Sequence, residues 1–194
     1  MAMSNFPPSA LPSPTSAVAY PLNEFYTRSG FPAPPLQEVD SQEVPEPYRS
    51  LLVHQHDMTS TLENFYQRAI HLRVVSREQR GDEYFREVVL LLDGDDKAVE
   101  FGAIKINLAR FPESVRQHIL EERRPLGSIL NECALAYVSK PKAFLRIASD
   151  KLISGLLNLT GTHVLYGRRN TLFDLEEQPL AEIVEILPPA PRLT

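Results

Sequence analysis

The sequence predicts an α+β domain, a mainly antiparallel sheet with helices packed on one face or end. Two observations carry this. Segments with strand character come in pairs across tight turn signals, the clearest being YFREVVLLLDG and KAVEFGAIKIN on either side of Asp93-Gly94. Segments with helical character stand in separate blocks and do not alternate one-for-one with strands, so parallel crossover units are not expected. The chain has 194 residues, 43% of them hydrophobic, which fits one cored domain or one domain plus a tail.

Ten of the 17 prolines fall in residues 1–47. FPPSALPSPTSAVAYP reads as a mobile tail and PAPPLQEVDSQEVPEP as an extended continuation, because Pro and Ser there offer neither a helix nor a buried face. Residues 1–46 are therefore expected to form a proline-rich mobile arm, and 47–194 the compact domain. Tyr48 to Val53 is a short helix or turn. Thr59 or Ser60 caps the next helix, TLENFYQRA, with Ser60 and Glu63 giving the better capping-box match. IHLRVVSREQ alternates apolar and polar residues and reads as a strand that Gly81-Asp82 ends. YFREVVLLLDG is apolar on both sides after Val88, as a central strand would be. Pro112 to Glu122 reads as a helix with proline in its first turn, and RRPLGSIL as a turn entering another. A strand over 137–149, a helix over 150–159 and two strands around a Glu-Glu-Gln-Pro turn complete the chain.

Composition excludes several classes of function. A net charge of −5 argues against nucleic acid as the main partner, since a phosphate-binding surface needs clustered excess Lys and Arg. Cys133 is the one cysteine, so an internal disulfide or a cysteine-based zinc site cannot form, and a cytoplasmic setting is expected. No apolar run approaches about 18 residues, so no membrane span is expected. A Gly-x-Ser-x-Gly nucleophile elbow and a phosphate-binding glycine loop are both lacking.

Several residues could carry chemistry. His54 and His56 would share a face of a strand, a workable metal arrangement, but they precede a turn and have only Asp57 beside them. Solvated or hydrogen-bonded structural histidines are the plainer reading. Arg86 is in phase with Val88, Leu90 and Leu92. If those point inward, Arg86 does too, at a desolvation cost that an anionic ligand would offset. The other reading is a strand-end arginine that reaches solvent or a structural acid. Glu185 shares a face with Ile183 and Leu187; its rival Glu182 lies on the other face with Val184 and Ile186. A carboxyl among apolar neighbours is a candidate acid or hydroxyl partner. Alternatively, either glutamate pairs with Arg168 or Arg169. Gly102 inside a strand marks a bulge or a close approach of ligand to backbone. The PLGS turn, residues 125–128, could offer backbone N–H groups to a carboxylate.

Taken in order, LLVHQHDMT, FREVVLLLDG, the glycine of EFGAIKI, RPLGSIL, YGRRNTL and VEILPPAP resemble the chorismate pyruvate-lyase family, from about Pro47 to Pro191. The resemblance implies a chorismate-lyase-like fold with an enclosed ligand pocket. It implies a carbon–oxygen lyase that converts chorismate to 4-hydroxybenzoate and pyruvate, for ubiquinone or secondary-metabolite biosynthesis, with no metal and no cofactor. It assigns the ring carboxylate to Arg86, the ring oxygen to Glu185, and backbone contacts to Met58 and Leu126, beside Gly102. Such a monomer would bind a small molecule and neither nucleic acid nor membrane. The sequence departs from the family at Ala103, where arginine often follows the glycine, in the longer segment DKLISGLLNLTGTH, and in the proline-rich arm. A one-residue shift is needed to match Glu185, which keeps Glu182 as its rival. A second expectation is a non-catalytic module of the same fold that holds an aromatic acid, although no helix-turn-helix with a basic recognition helix precedes the domain. A metal-dependent protein using His54 and His56 is a third.

Overall fold

The computed structural model describes residues 18–190. Seven strands form one antiparallel sheet: β1 (Leu36–Val39), β2 (Ile70–Arg80), β3 (Glu83–Leu92), β4 (Ala98–Asn107), β5 (Val138–Ala148), β6 (Val164–Phe173) and β7 (Pro179–Leu187), in the order β1-β5-β6-β7-β4-β3-β2. Among the described residues six α-helices accompany them: α1 (Leu22–Ser29), α2 (Tyr48–Leu52), α3 (Met58–Tyr66), α4 (Glu113–Leu120), α5 (Leu126–Glu132) and α6 (Lys151–Leu156). The α+β class and the chorismate-lyase-like antiparallel sheet are as the sequence predicts.

The strand period of two divides the apolar residues between two faces. From β3, Phe85, Val89 and Leu91 join Phe101 of β4, Val184 and Ile186 of β7, and Leu145 and Ile147 of β5 in one core. On the opposite face, Tyr84 packs with Ile104 and Ile106 under α4 and α5, through Val115, Ile119, Leu126, Ile129 and Leu130. Further along that face, Leu90 and Leu92 pack under α2 and α3, through Leu51, Leu52, Met58 and Leu62. Two helical clusters thus sit on one face with a gap between them, and the gap is roofed by the starts of α3 and α5.

Helix α3 begins earlier than the Ser60 cap predicts. Its cap is Asp57, whose carboxylate accepts from the Ser60 N–H at 2.8 Å. The predicted cap is therefore the residue that is capped. This moves Met58 and Thr59 into the first turn, where both are buried.

The expected boundary near residue 47 is displaced. Helix α1 buries Leu22, Phe25 and Tyr26 in the core built on Phe85, Val89 and Phe101, and β1 pairs with the edge of β5 from Leu36↔Ile147 to Val39↔Phe144. The proline count obscured an amphipathic helix, because Pro21 stands at its N-cap and the prolines at 32, 34 and 35 lie beyond its end. The predicted mobile tail lies, up to residue 17, outside the described residues. The extra segment near 150–163 takes the same face: Ile153 of α6 and Leu157 after it join the α1 core. Asp150 connects the two segments. It caps α6 by accepting from the Ile153 N–H at 2.8 Å and accepts from the Tyr26 hydroxyl at 2.7 Å. Helix α1 and the segment around α6 cover the reverse of the sheet together, and among the described residues neither lines the pocket.

Burying a large apolar side chain contributes about 1.5–3 kcal/mol, and truncating a buried phenylalanine costs more because a cavity remains. Phe25→Ala should therefore destabilise the protein by about 3–5 kcal/mol in urea unfolding. A loss below about 0.5 kcal/mol, the scale of a surface substitution, would return residues 18–46 to the status of a loose arm.

Candidate functional site

The sheet register builds a grid of side chains on the pocket face. In one row, Val88 of β3 is opposite Gly102 of β4, Gly102 opposite Glu185 of β7, and Glu185 opposite Arg168 of β6. Two residues along, the row is Arg86, Ile104, Ile183 and Asn170. Two residues the other way, Leu90 is opposite Glu100. This grid forms the floor of a cavity holding about 570 Å³ of space between atoms, its open mouth included. Leu72 and Leu172 form sides, and the Asp57–Thr59 and Pro125–Gly127 turns form the roof. All five residues predicted for the site, Met58, Arg86, Gly102, Leu126 and Glu185, line this one cavity. Glu182, the rival of Glu185, is on the other face with its carboxylate 3.3 Å from Arg169.

Arg86 is 1% exposed. Its Nη1 reaches only the Ile119 carbonyl, at the long distance of 3.5 Å, and its buried Nε has no hydrogen-bond partner. Burial pushes its pKa down, and Tyr84 and Glu122 counter this only in part. Glu122 is already bonded to the Tyr84 hydroxyl and to Arg77. Among the described residues, no carboxylate forms an ion pair with Arg86. A guanidinium in a low-dielectric site without its counterion is costly, and the open hydrogen-bonding capacity faces a cavity with apolar walls.

Glu185 is in the opposite condition. It forms a buried ion pair with Arg168, which is 0% exposed. Arg168 also donates to the carbonyls of Leu52 at 3.3 Å, His54 at 3.1 Å and His56 at 3.2 Å. The pair therefore anchors the 52–56 loop to the sheet. This also settles the role of the histidines. His54 donates through Nε2 to the Leu51 carbonyl at 2.7 Å, while Nδ1 accepts from Arg168 at 3.3 Å and from the His56 N–H at 3.1 Å. Burial and the Arg168 charge push its pKa down, which matches a neutral ring with both nitrogens engaged. The tautomer leaves no lone pair for a metal.

Two participants escaped the sequence reading. In the sequence, Arg168 stands with Arg169 as a possible partner of either glutamate, and nothing marks it as part of the pocket floor. Glu100 is in phase with Gly102 and Ile104, the same-face relation that singles out Arg86. Glu100 is 4% exposed and its Oε2 has no hydrogen-bond partner. Its pKa is raised well above 4.5, first by burial and then by the Glu185 charge, with Arg168 opposing. Gly102 keeps regular pairing on both sides, so the bulge reading is not met. A Cβ there would come within 3.1 Å of both Glu100 Oε1 and Val88 Cγ2. The glycine leaves room for the Glu100 carboxyl on the cavity floor.

No protein-family model and no curated protein matches the sequence. Solved structures do match in fold. PhnF from Mycobacterium smegmatis aligns with a TM-score of 0.53 and 12% identity over 71% of this chain and 65% of PhnF. Its isolated effector domain aligns with the same TM-score and identity over 69% of this chain and 89% of the domain. The fold is that of the PhnF effector domain. A transcriptional regulator of the GntR family from Bacillus cereus aligns at 16% identity over 62% of this chain and 92% of its own, with a TM-score of 0.44.

The expectation of a chorismate lyase, and of an enzyme, is corrected. The structures that share this fold above are an effector domain and its parent protein, not lyases. The site agrees with the correction: the carboxylate assigned to the reacting ring oxygen is held in an ion pair by Arg168. That partner stood among the sequence alternatives, and the phase argument for Glu185 had no means to choose it.

Removing one member of a buried ion pair strands the other, which typically costs about 3–5 kcal/mol, whereas replacing both with apolar groups costs less. Glu185→Leu should therefore destabilise the protein more than the double variant Glu185→Leu/Arg168→Met in urea unfolding. A double variant showing the sum of the two single losses would mean that the pair is not coupled.

Proposed function

We propose that the protein is a non-catalytic binding module that takes a small organic acid, of aromatic type, into this cavity. The single observation that carries this is the buried guanidinium of Arg86, which faces the cavity without a protein anion. A planar carboxylate matches its fork in a bidentate pair, and charge-assisted bonds of this kind contribute about 1.5–3 kcal/mol. The apolar surfaces of Val88, Leu90, Ile104, Leu126 and Leu172 suit a ring or hydrocarbon body. The lining is of the kind found in small-molecule sites, where apolar walls supply affinity and a few polar groups fix orientation. Met58 and Leu126, at the starts of α3 and α5, form the roof and close over such a ligand. The fold shared with the PhnF effector domain supports holding a ligand over transforming one. Among the described residues, no helix is long and apolar enough to cross a membrane.

The proposal makes a paired demand on one side chain. Arg86→Ala should weaken benzoate binding at least tenfold by titration calorimetry, about 1.4 kcal/mol. Arg86→Met, which removes the stranded charge and keeps the volume, should raise the melting temperature of the empty protein and abolish its further rise with benzoate. Unchanged benzoate affinity in folded Arg86→Ala would refute the assignment.

A further inference from the structure

The cavity has a second buried polar group, Oε2 of Glu100, that no described residue satisfies. Glu100 lies on the same floor as Arg86, but its cross-strand partner is Leu90, four residues along β3 from Arg86. The two positions are thus about 13 Å apart at the backbone. Hydrogen bonds of about 2.8 Å at each end leave a span that a substituted ring can bridge. The groups around Glu100 are Glu185 of β7, Arg168 of β6, and behind Arg168 the neutral His54. Asp57 stands at the roof, its carboxylate accepting from Ser60. The Arg168 donors are engaged by Glu185 and three loop carbonyls, so Arg168 makes no hydrogen bond to Glu100 and its charge offsets the burial of that carboxyl only in part.

We propose that Glu100 determines specificity in this pocket, its carboxyl donating a hydrogen bond to an acceptor oxygen at the end of the ligand remote from the carboxylate. This rests on the reading of the cavity as an acid-binding site, and it narrows the ligand to an acid carrying a far-end oxygen. The position of Glu100 follows from the missing Cβ at Gly102, over which its Oε1 lies. Its electrostatic setting agrees. Burial and the negative neighbour Glu185 both favour the proton-bearing form, the form that donates. A ligand cation is disfavoured, because binding one would require Glu100 to lose that proton beside Glu185. The sign of the pH dependence follows: the contact is present below the raised pKa of Glu100 and lost as pH rises through it.

The test uses para-methoxybenzoate, its near-isostere para-ethylbenzoate, and para-(aminomethyl)benzoate, each titrated calorimetrically into the full chain. The wild type should favour the methoxy acid over the ethyl acid about five- to tenfold, the value of one buried hydrogen bond. This preference should fade at high pH. Glu100→Gln, which keeps the shape and an N–H donor, should retain the preference at every pH; Glu100→Leu should erase it. Infrared difference spectra should show the carbonyl band of a protonated carboxyl in the empty wild type that Glu100→Gln lacks, and its absence would overturn the proposal without any ligand. Equal affinities for the methoxy and ethyl acids, with binding that still needs Arg86, would overturn the role of Glu100 and leave the acid site standing. Tightest binding of the aminomethyl acid would overturn it in favour of an ionised Glu100. Failure of every acid to bind in an Arg86-dependent way would overturn the acid site and this inference together.

Discussion

A guanidinium buried without an anion is the constraint from which the rest of this site follows. Folding removes Arg86 from water and supplies only a distant carbonyl in return. The sheet tolerates this because the surrounding positions are dense with apolar contact, from Tyr84 and Ile104 below to Ile119 and Leu126 above. An arrangement that costs stability in the empty protein and has an open hydrogen-bonding direction into a cavity is suited to gain from an arriving carboxylate. The same row structure places a buried, internally satisfied pair, Glu185 with Arg168, one step away. The contrast between a neutralised pair and a lone cation separates the part of the floor that is structural from the part that is open to a ligand.

Much of this was legible in the sequence because strand phase is a strong local signal. Arg86 in register with Val88, Leu90 and Leu92, and Glu185 with Ile183 and Leu187, fixed which side chains share a face before any coordinates. Phase does not show who stands opposite. That Glu185 meets Arg168 across a strand boundary depends on the β6–β7 register, which no local pattern determines. Glu100 is within reach of the same phase argument, since it shares its face with Gly102 and Ile104.

The N-terminal segment shows a different limit. Proline density read as a mobile arm through residue 46, yet the prolines flank a helix without entering it, and Leu22, Phe25 and Tyr26 form its buried stripe. The extra segment near 150–163 could not be oriented from sequence alone, since its apolar residues suit either face of the sheet. With both on the reverse face, joined through Tyr26 and Asp150, the cavity is roofed among the described residues by the turns at 57–59 and 125–127. The resemblance to chorismate pyruvate-lyases therefore conveyed the fold and the place of the pocket, while the ion pair at Glu185 and the likeness to an effector domain correct the chemistry.

The central claim is that Arg86 awaits an external carboxylate, and nuclear magnetic resonance of its side chain reads this directly. In protein labelled with nitrogen-15, the Arg86 Nε–H resonance, assigned by its loss in Arg86→Lys, should lie in the empty protein at the position of a guanidinium without a carboxylate partner. On adding benzoate it should move to the position of a carboxylate-bonded guanidinium. A resonance already at the carboxylate-bonded position before any acid is added, or one that stays unmoved while benzoate saturates the protein, would contradict the account.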